Sequence, residues 1–221
     1  MDIEVSALKK VTSDIKRPIT CIIGGSKIST KINLIKNLIP KFENLVIVGG
    51  MANNILKYKG FNIGNSINEE GCGEIVGKIF SLAEKNNCNL VFPSDVAVGK
   101  KLRDNAKIKD LSDLKDDDMI LDIGPKTINS ISYILDNSKT VLWNGPAGYF
   151  ENSNFAIGSV KIAKKIIELE DNIFSVAGGG DTIAVLNEVN AFEKFNFVST
   201  AGGAFLEYLE GKELPGIKAL K

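Results

Sequence analysis

An α/β fold, doubly wound around a mostly parallel six-stranded sheet with helices on both faces, is predicted by three features of this chain. Short runs rich in β-branched residues recur without a polar alternation, as strands buried on both faces require. Stretches with helical periodicity lie between most of them, which implies βαβ units rather than hairpins. Almost every run ends in glycine or another turn residue, so in a parallel sheet those ends would gather along one rim. Together these define a Rossmann-like architecture. With 221 residues and no internal repeat or convincing boundary, residues 1–221 are expected to form a single domain.

The elements follow in chain order. Ile19-Thr20-Cys21-Ile22-Ile23 is the first strand and runs into Gly24-Gly25-Ser26-Lys27. A helix is expected next, with Lys27 and Lys31 in its first turn or so and sharing one face. Leu45-Val46-Ile47-Val48 is a second strand, ending in Gly49-Gly50. Glu70 to Lys85 reads as a helix burying Ile75, Ile79, Leu82 and Ala83. Within it, Gly71-Cys72-Gly73-Glu74-Ile75-Val76-Gly77 imitates a dinucleotide fingerprint, but it has one residue too many and follows no strand. A loop and helix start is the better reading. Leu90-Val91-Phe92 is strand-like, and the polar stretch from Gly99 to Asp118 reads as a surface excursion. Met119-Ile120-Leu121 and Thr140-Val141-Leu142-Trp143 resume the strand pattern. Ser153 to Leu169 places Ala156, Val160, Ala163 and Ile167 on one helical face. Ile173-Phe174-Ser175-Val176, a helix from Asp181 through Val189, and Phe197-Val198-Ser199 complete the series.

Composition removes several function classes. There is no histidine, so a Ser-His-Asp triad, a Cys-His pair, a His-ligated metal and a histidine general base are excluded within these residues. The three cysteines, Cys21, Cys72 and Cys88, form no C-x-x-C pair, and Cys21 reads as a small core residue. Lys plus Arg and Asp plus Glu are both 27, which argues against a general nucleic-acid or membrane-surface partner. No apolar run approaches the roughly 18 residues of a membrane span, and Met1-Asp2-Ile3-Glu4 lacks signal-peptide character, so a cytoplasmic protein is expected. Arg17 and Arg103 are the only arginines, which leaves anion recognition mainly to lysine.

The glycine-ended strands point to an anion or nucleotide cleft, because backbone approaches a ligand closely there and helix N-termini direct N–H groups outward. Lys27 and Lys31 sharpen that reading. Two cations near a helix N-terminus each cost ~0.3–1 kcal/mol against the dipole, a cost that a polyphosphate would reverse. Asp181, after Gly178-Gly179-Gly180, can be an N-cap, a role Thr182 could share, or a Mg²⁺ ligand beside phosphate oxygens. Glu151, beyond Trp143-Asn144-Gly145-Pro146, lies on the same rim and suits ribose hydroxyls.

Four ordered motifs then converge. Gly24-Gly25-Ser26-Lys27-Ile28-Ser29-Thr30-Lys31, Val141 through Glu151, Gly178-Gly179-Gly180-Asp181-Thr182 and Ser199-Thr200-Ala201-Gly202-Gly203-Ala204, with Leu209 through Gly216 near the end, closely resemble the phosphoglycerate kinase family. The resemblance spans essentially the whole chain and corresponds to the family's C-terminal, nucleotide-binding half. It implies that Lys27 and Lys31 hold the nucleotide phosphates and the phosphoryl group in flight, and that Asp181 binds Mg²⁺ with Asn144 and Thr182 near the phosphates. It further implies that Gly178, Gly179 and Gly180 belong to the phosphate loop, with Gly179 at the catalytic centre, and that Pro146 and Glu151 lie on the nucleotide. Gly49, Gly50, Ile67 and Leu121 would line the adenine slot, while Gly202 and Gly203 would offer amides to the transferred group. Val48, Ala201 and Ile120 depart from glycines found in relatives without removing a charged group.

The implied reaction moves a phosphoryl group between ATP and the carboxylate of 3-phosphoglycerate, giving ADP and 1,3-bisphosphoglycerate in glycolysis. A carboxylate acceptor needs no base, so the missing histidine is no obstacle. ATP or ADP and Mg²⁺ are the expected ligands. In the family, 3-phosphoglycerate sits on a separate N-terminal half, which is expected to be absent here, so the chain alone should bind Mg-ADP or Mg-ATP with little or no turnover, as a monomer. The alternatives are a nucleotide-binding module without chemistry and a nicotinamide oxidoreductase. The latter lacks its glycine fingerprint and the acidic residue after the second strand.

Overall fold

The computed structural model of the chain describes residues 16–200 and Lys212. Its main sheet has six strands, β1 (Ile19–Ile23), β2 (Asn44–Ile47), β3 (Asn89–Val91), β7 (Thr140–Asn144), β8 (Phe174–Gly178) and β9 (Phe197–Ser199), in the order β3-β2-β1-β7-β8-β9. All neighbours pair in parallel. The doubly wound architecture expected from the sequence is therefore present, with its order reversing between β1 and β7.

Side-chain alternation along the central strands explains the two layers. On β1, Ile19, Cys21 and Ile23 face one core with Leu45, Ile47 and Leu142, packed beneath the helices α1 (Ile32–Leu38), α2 (Gly50–Tyr58) and α3 (Gly73–Lys85). Ile22, Val46, Val141, Trp143 and Ala177 face the other core. That core is closed by α4 (Pro125–Asp136), α5 (Ile157–Glu168) and α6 (Gly180–Glu188). Trp143 is fully buried and donates its indole N–H to the Gly145 carbonyl at 2.8 Å, so its large apolar surface is covered without an orphaned donor. The helix from Gly73 confirms the loop-and-helix-start reading of the false fingerprint, and Cys21 is fully buried as a core residue.

A second sheet was not foreseen. Strands β4 (Asp95–Gly99), β5 (Lys107–Asp110) and β6 (Met119–Ile123) pair antiparallel in the order β5-β4-β6. The Met119-Ile120-Leu121 run thus leaves the main sheet, correcting its grouping with the doubly buried strands. The stretch from Gly99 to Asp118 is likewise more than a surface excursion. It carries an edge strand, and Leu111 and Leu114 close a small core over Val96, Val98, Leu56 and Ile63. The local pattern hid this because the residues of β5 are mostly exposed and charged, as an edge strand tolerates.

Candidate functional site

In an open doubly wound sheet, the crevice opens where connections from neighbouring strands leave toward opposite faces. Here that point is β1 beside β7. The connection after β1 leads to α1, and that after β7 leads to α5. At the junction two main chains touch: Gly24 N donates to Asn144 O at 2.8 Å. A Cβ on Gly24 would stand 2.0 Å from Pro146 O, and one on Gly145 2.3 Å from Gly24 O. These glycines are therefore needed for backbone contact across the switch point, beyond any need for a tight turn.

Polar side chains cross the same junction. Lys31 Nζ donates to Gly24 O at 2.7 Å and to Asn144 Oδ1 at 2.6 Å. Asn144 is buried, and its Nδ2 donates to Gly178 O at 2.7 Å. Gly145 N donates to the buried Thr182 Oγ1 at 2.7 Å. One chain of contacts therefore joins the loops after β1, β7 and β8. Burial pushes the Lys31 ammonium down to about 8, while the negative charge of Asp181 pulls the other way.

The two lysines do not begin a helix together. Ser29–Lys31 form a 3-10 turn and α1 starts at Ile32, so Lys27 lies before any helical residue. This corrects the shared helical face. Lys27 is exposed and its charge acts on Glu69, whereas Lys31 is turned inward. Asp181 does not cap α6; Gly179 holds the N-cap position with φ +97°, and no side chain caps that helix. Thr182 does not cap it either. The Asp181 carboxylate is exposed in the first turn of α6, available to a ligand. No Cβ would meet an obstacle at Gly180, while one at Gly179 would lie 2.9 Å from Asn144 Nδ2.

Beside this polar end lies a cleft of about 440 Å³, a volume within the range of small-molecule sites. Gly49, Gly50, Ile67, Leu121, Pro146, Glu151 and Asp181 line it, as do Gly25 and Ser26. Gly49 has φ +69°, and a Cβ on Gly50 would reach within 2.7 Å of Ile67 Cγ2. Ile67 is 54% exposed despite its apolar character, as a side chain forming the lip of a cleft would be. Lys27, Lys31, Asn144, Gly178, Gly179, Gly180 and Thr182 do not line the cleft; Lys31, Asn144 and Thr182 join the loops beside it. Gly202 and Gly203 lie outside the described residues.

Sequence reasoning missed part of the wall. Tyr149 and Phe150, within the Val141-to-Glu151 motif, both line the cleft, and Tyr149 N donates to Leu121 O at 2.6 Å. The second sheet adds Met119, Ile120, Asp122 and Ile123. Asp122 is buried, which raises its carboxyl to about 7 against hydrogen bonds donated by Gly158 N and Ile123 N. Asn53 also lines the cleft. Its Nδ2 donates to Ile67 O at 2.9 Å, and its buried Oδ1 has no partner among the described residues. A polar residue three positions after Gly50 on an apolar helical face was the available signal.

Fold and cleft define the class: a doubly wound α/β fold with a ligand-sized cleft at its topological switch point, Asp181 in its lining and the inward-turned Lys31 beside it. Within that class the chain belongs to the phosphoglycerate kinase family, whose model matches residues 1–212. It is 47% identical to phosphoglycerate kinase of Francisella philomiragia over 99% of this chain and 56% of that protein. It is 44% identical to that of Zymomonas mobilis, over 100% of this chain and 57% of the relative. The solved structure of the Coxiella burnetii phosphoglycerate kinase superposes with a TM-score of 0.94 at 38% identity, covering 99% of this chain and 56% of the other. That of the Pyrococcus horikoshii enzyme gives 0.84 at 28% identity, covering 100% and 56%. The chain thus spans about half the length of these relatives.

Proposed function

We propose that the chain binds Mg-ADP or Mg-ATP as one domain and supplies the nucleotide half of a phosphoglycerate kinase, which transfers a phosphoryl group between ATP and the carboxylate of 3-phosphoglycerate. One observation carries this reading: Gly24 O and Asn144 Oδ1 fix the Lys31 ammonium at the β1/β7 switch point, beside a cleft lined mainly by glycine and apolar residues with the carboxylates of Glu151 and Asp181 among them. The base would occupy the slot between Gly49, Gly50, Ile67 and Leu121. Glu151 would accept hydrogen bonds from the ribose, and the phosphates would extend toward Lys31, with Lys27 and the Gly178-Gly179-Gly180 loop outside them.

The donor set fits magnesium. Among the described residues no cluster of three or more metal-binding side chains occurs, and Mg²⁺ commonly takes one or two carboxylates with phosphate oxygens and water completing its shell. Asp181 would hold it, and the ion would neutralise phosphate charge. The protein's own groups would do the rest. Lys31 offers an ammonium N–H to a phosphate oxygen, Thr182 and Asn144 keep the loops in register, and the glycine loop lets backbone amides approach the phosphates. Phosphoryl transfer depends mainly on such alignment and charge neutralisation. The chain's zero histidines are compatible with it, since an ionised acceptor carboxylate has no proton to lose.

The chain spans 56% of its Francisella relative, and we assign the acceptor site to a region outside it, where the whole glycolytic reaction would be completed. By itself the chain is expected to act as a nucleotide-binding module, monomeric and cytoplasmic. No helix among the described residues is long and apolar enough to cross a membrane. Calorimetry with Mg-ADP and with NAD tests the reading: binding of Mg-ADP and none of NAD is expected, and the reverse preference or no binding overturns it. A coupled assay should then show little turnover unless the acceptor half is supplied.

A further inference from the structure

The segment 66–69 makes contacts beyond the lip of the cleft. Its Ile67 packs over Gly50, and the Ile67 carbonyl accepts from Asn53 Nδ2 at 2.9 Å. Two residues later, Glu69 N donates to Asn54 Oδ1 at 2.9 Å. Adjacent side chains of α2 therefore strap this segment down at Ile67 and at Glu69. The Glu69 carboxylate then reaches across to the segment bearing both lysines. It accepts from Ser29 N at 2.9 Å and, through its other oxygen, from the Ser29 hydroxyl. Burial alone would raise the Glu69 carboxyl, but hydrogen bonds from Ser29 and Ile28 and the charge of Lys27 outweigh it and hold the group below its usual range. Glu69 is thus ionised at neutral pH and bound between Lys27 and Lys31 in the chain.

We propose that Glu69 is a positioning residue that makes occupation of the base slot and of the phosphate end mutually reinforcing. The proposal rests on the nucleotide reading of the cleft. A base entering the slot presses on Ile67, two residues from Glu69, and so stabilises the segment that Glu69 holds. Glu69 fixes Ser29, which lies between the two lysines, so that segment is ordered before the phosphates arrive. Preorganised cations bind anions with less ordering cost, and a constraint shared by two subsites appears as a coupling between them. Glu69 itself touches neither ligand; a negative charge in contact with phosphate would weaken binding.

The test uses the 221-residue chain, with adenosine and magnesium tripolyphosphate as separate probes of the two ends. Each is titrated calorimetrically alone and with the other saturating, in the native chain and in Glu69→Gln and Ser29→Ala. In the native chain, adenosine should tighten tripolyphosphate binding by at least about fivefold, a factor within the usual span of coupling between sites. Glu69→Gln should reduce that factor to within about twofold of unity while each ligand alone still binds, and Ser29→Ala should fall between. If Glu69→Gln does not fold, as thermal unfolding would reveal, Ser29→Ala decides by the same reduction. Undiminished coupling in a folded variant, or equal weakening of both ligands with the coupling intact, overturns the proposal and leaves Glu69 a purely structural brace. A native chain that binds both probes without coupling sinks this inference alone. One that binds neither sinks the nucleotide reading with it.

Discussion

The cleft has two walls built on different principles. On the switch-point side, Gly25, Gly49, Gly50 and Pro146 line it, and behind them Gly24 and Gly145 let the main chains after β1 and β7 meet while Lys31, Asn144 and Thr182 bind the loops after β1, β7 and β8 together. On the other side, the antiparallel sheet offers Met119, Ile120 and Leu121: Ile120 rests on the small core around Leu111 and Leu114, and Met119 and Leu121 on Ala97 and Phe155. The first wall is stiffened where main chain meets main chain, Gly24 against Asn144, Gly145 and Pro146. The second is rigid only as far as a few leucines keep its layer packed. Polar contacts are thereby concentrated where main chains meet, and apolar surface where packing rests on a few side chains.

The largest effect should come from breaking the first wall. Gly24→Ala places a methyl 2.0 Å from Pro146 O, and main chain on both sides leaves no flexible group to yield. A loss of at least about 3 kcal/mol in urea unfolding is expected, at or above the top of the usual range for overpacking. If Gly24→Ala unfolds with the native midpoint, the close approach is not structurally required. On the second wall, Leu111→Ala should cost about 2–3 kcal/mol, at the low end for a buried leucine, because the site lies near the surface and can partly collapse. It should also weaken adenosine while leaving magnesium tripolyphosphate unaffected, which titration of each probe would show.

Lys31→Met sharpens the comparison in the opposite sense. Mg-ADP affinity should fall about tenfold, equivalent to about 1.4 kcal/mol, with adenosine affinity unchanged. If Lys31 holds phosphate as proposed, the native chain should lose Mg-ADP affinity as pH rises through about 8, since deprotonation removes that cation, and the variant should lack this step. The same group acts on folding with the other sign. Its folded pKa lies below the ordinary 10.5, so the unfolded chain holds more protons between the two values and the Lys31 contribution to stability increases across that window. Titrations and melts from pH 7 to 10 read both.

The smallest effect belongs to Asp122, on the second wall. Its carboxyl is raised from 3.8 to about 7, so the folded state keeps a proton that the unfolded state has lost. The stability this provides is complete below pH 3.8 and is lost as pH rises through about 7. Asp122→Asn should flatten the dependence of Tm on pH between 5 and 8 relative to the native chain. Identical slopes would show that Asp122 is not the group responsible.

The polar wall was legible in the sequence because close backbone approach admits essentially one residue type, and a row of strand ends in glycine records that requirement directly. Buried parallel strands leave an equally plain mark, since both faces must be apolar. The antiparallel wall left little trace. β5 is a charged edge strand, and the packing role of Leu111 and Leu114 emerges only when Val96, Val98, Leu56 and Ile63 arrive from elsewhere in the chain. Residue type marked Lys31, Asp181 and Thr182 as site candidates, but not what each would touch. An ammonium of that length can reach solvent, phosphate or carbonyl, and only the meeting of β1 with β7 turns Lys31 inward while Lys27 stays outside. The same holds for Glu69 and Asn53, ordinary polar residues in sequence whose partners are supplied by chain crossings. The sequence by itself determined the layers, the glycine rim and the absence of histidine chemistry, because periodicity and composition are local properties. Tertiary structure alone decided which polar atoms pair across that rim, because hydrogen-bond partners from distant segments are chosen by the packing that brings them together.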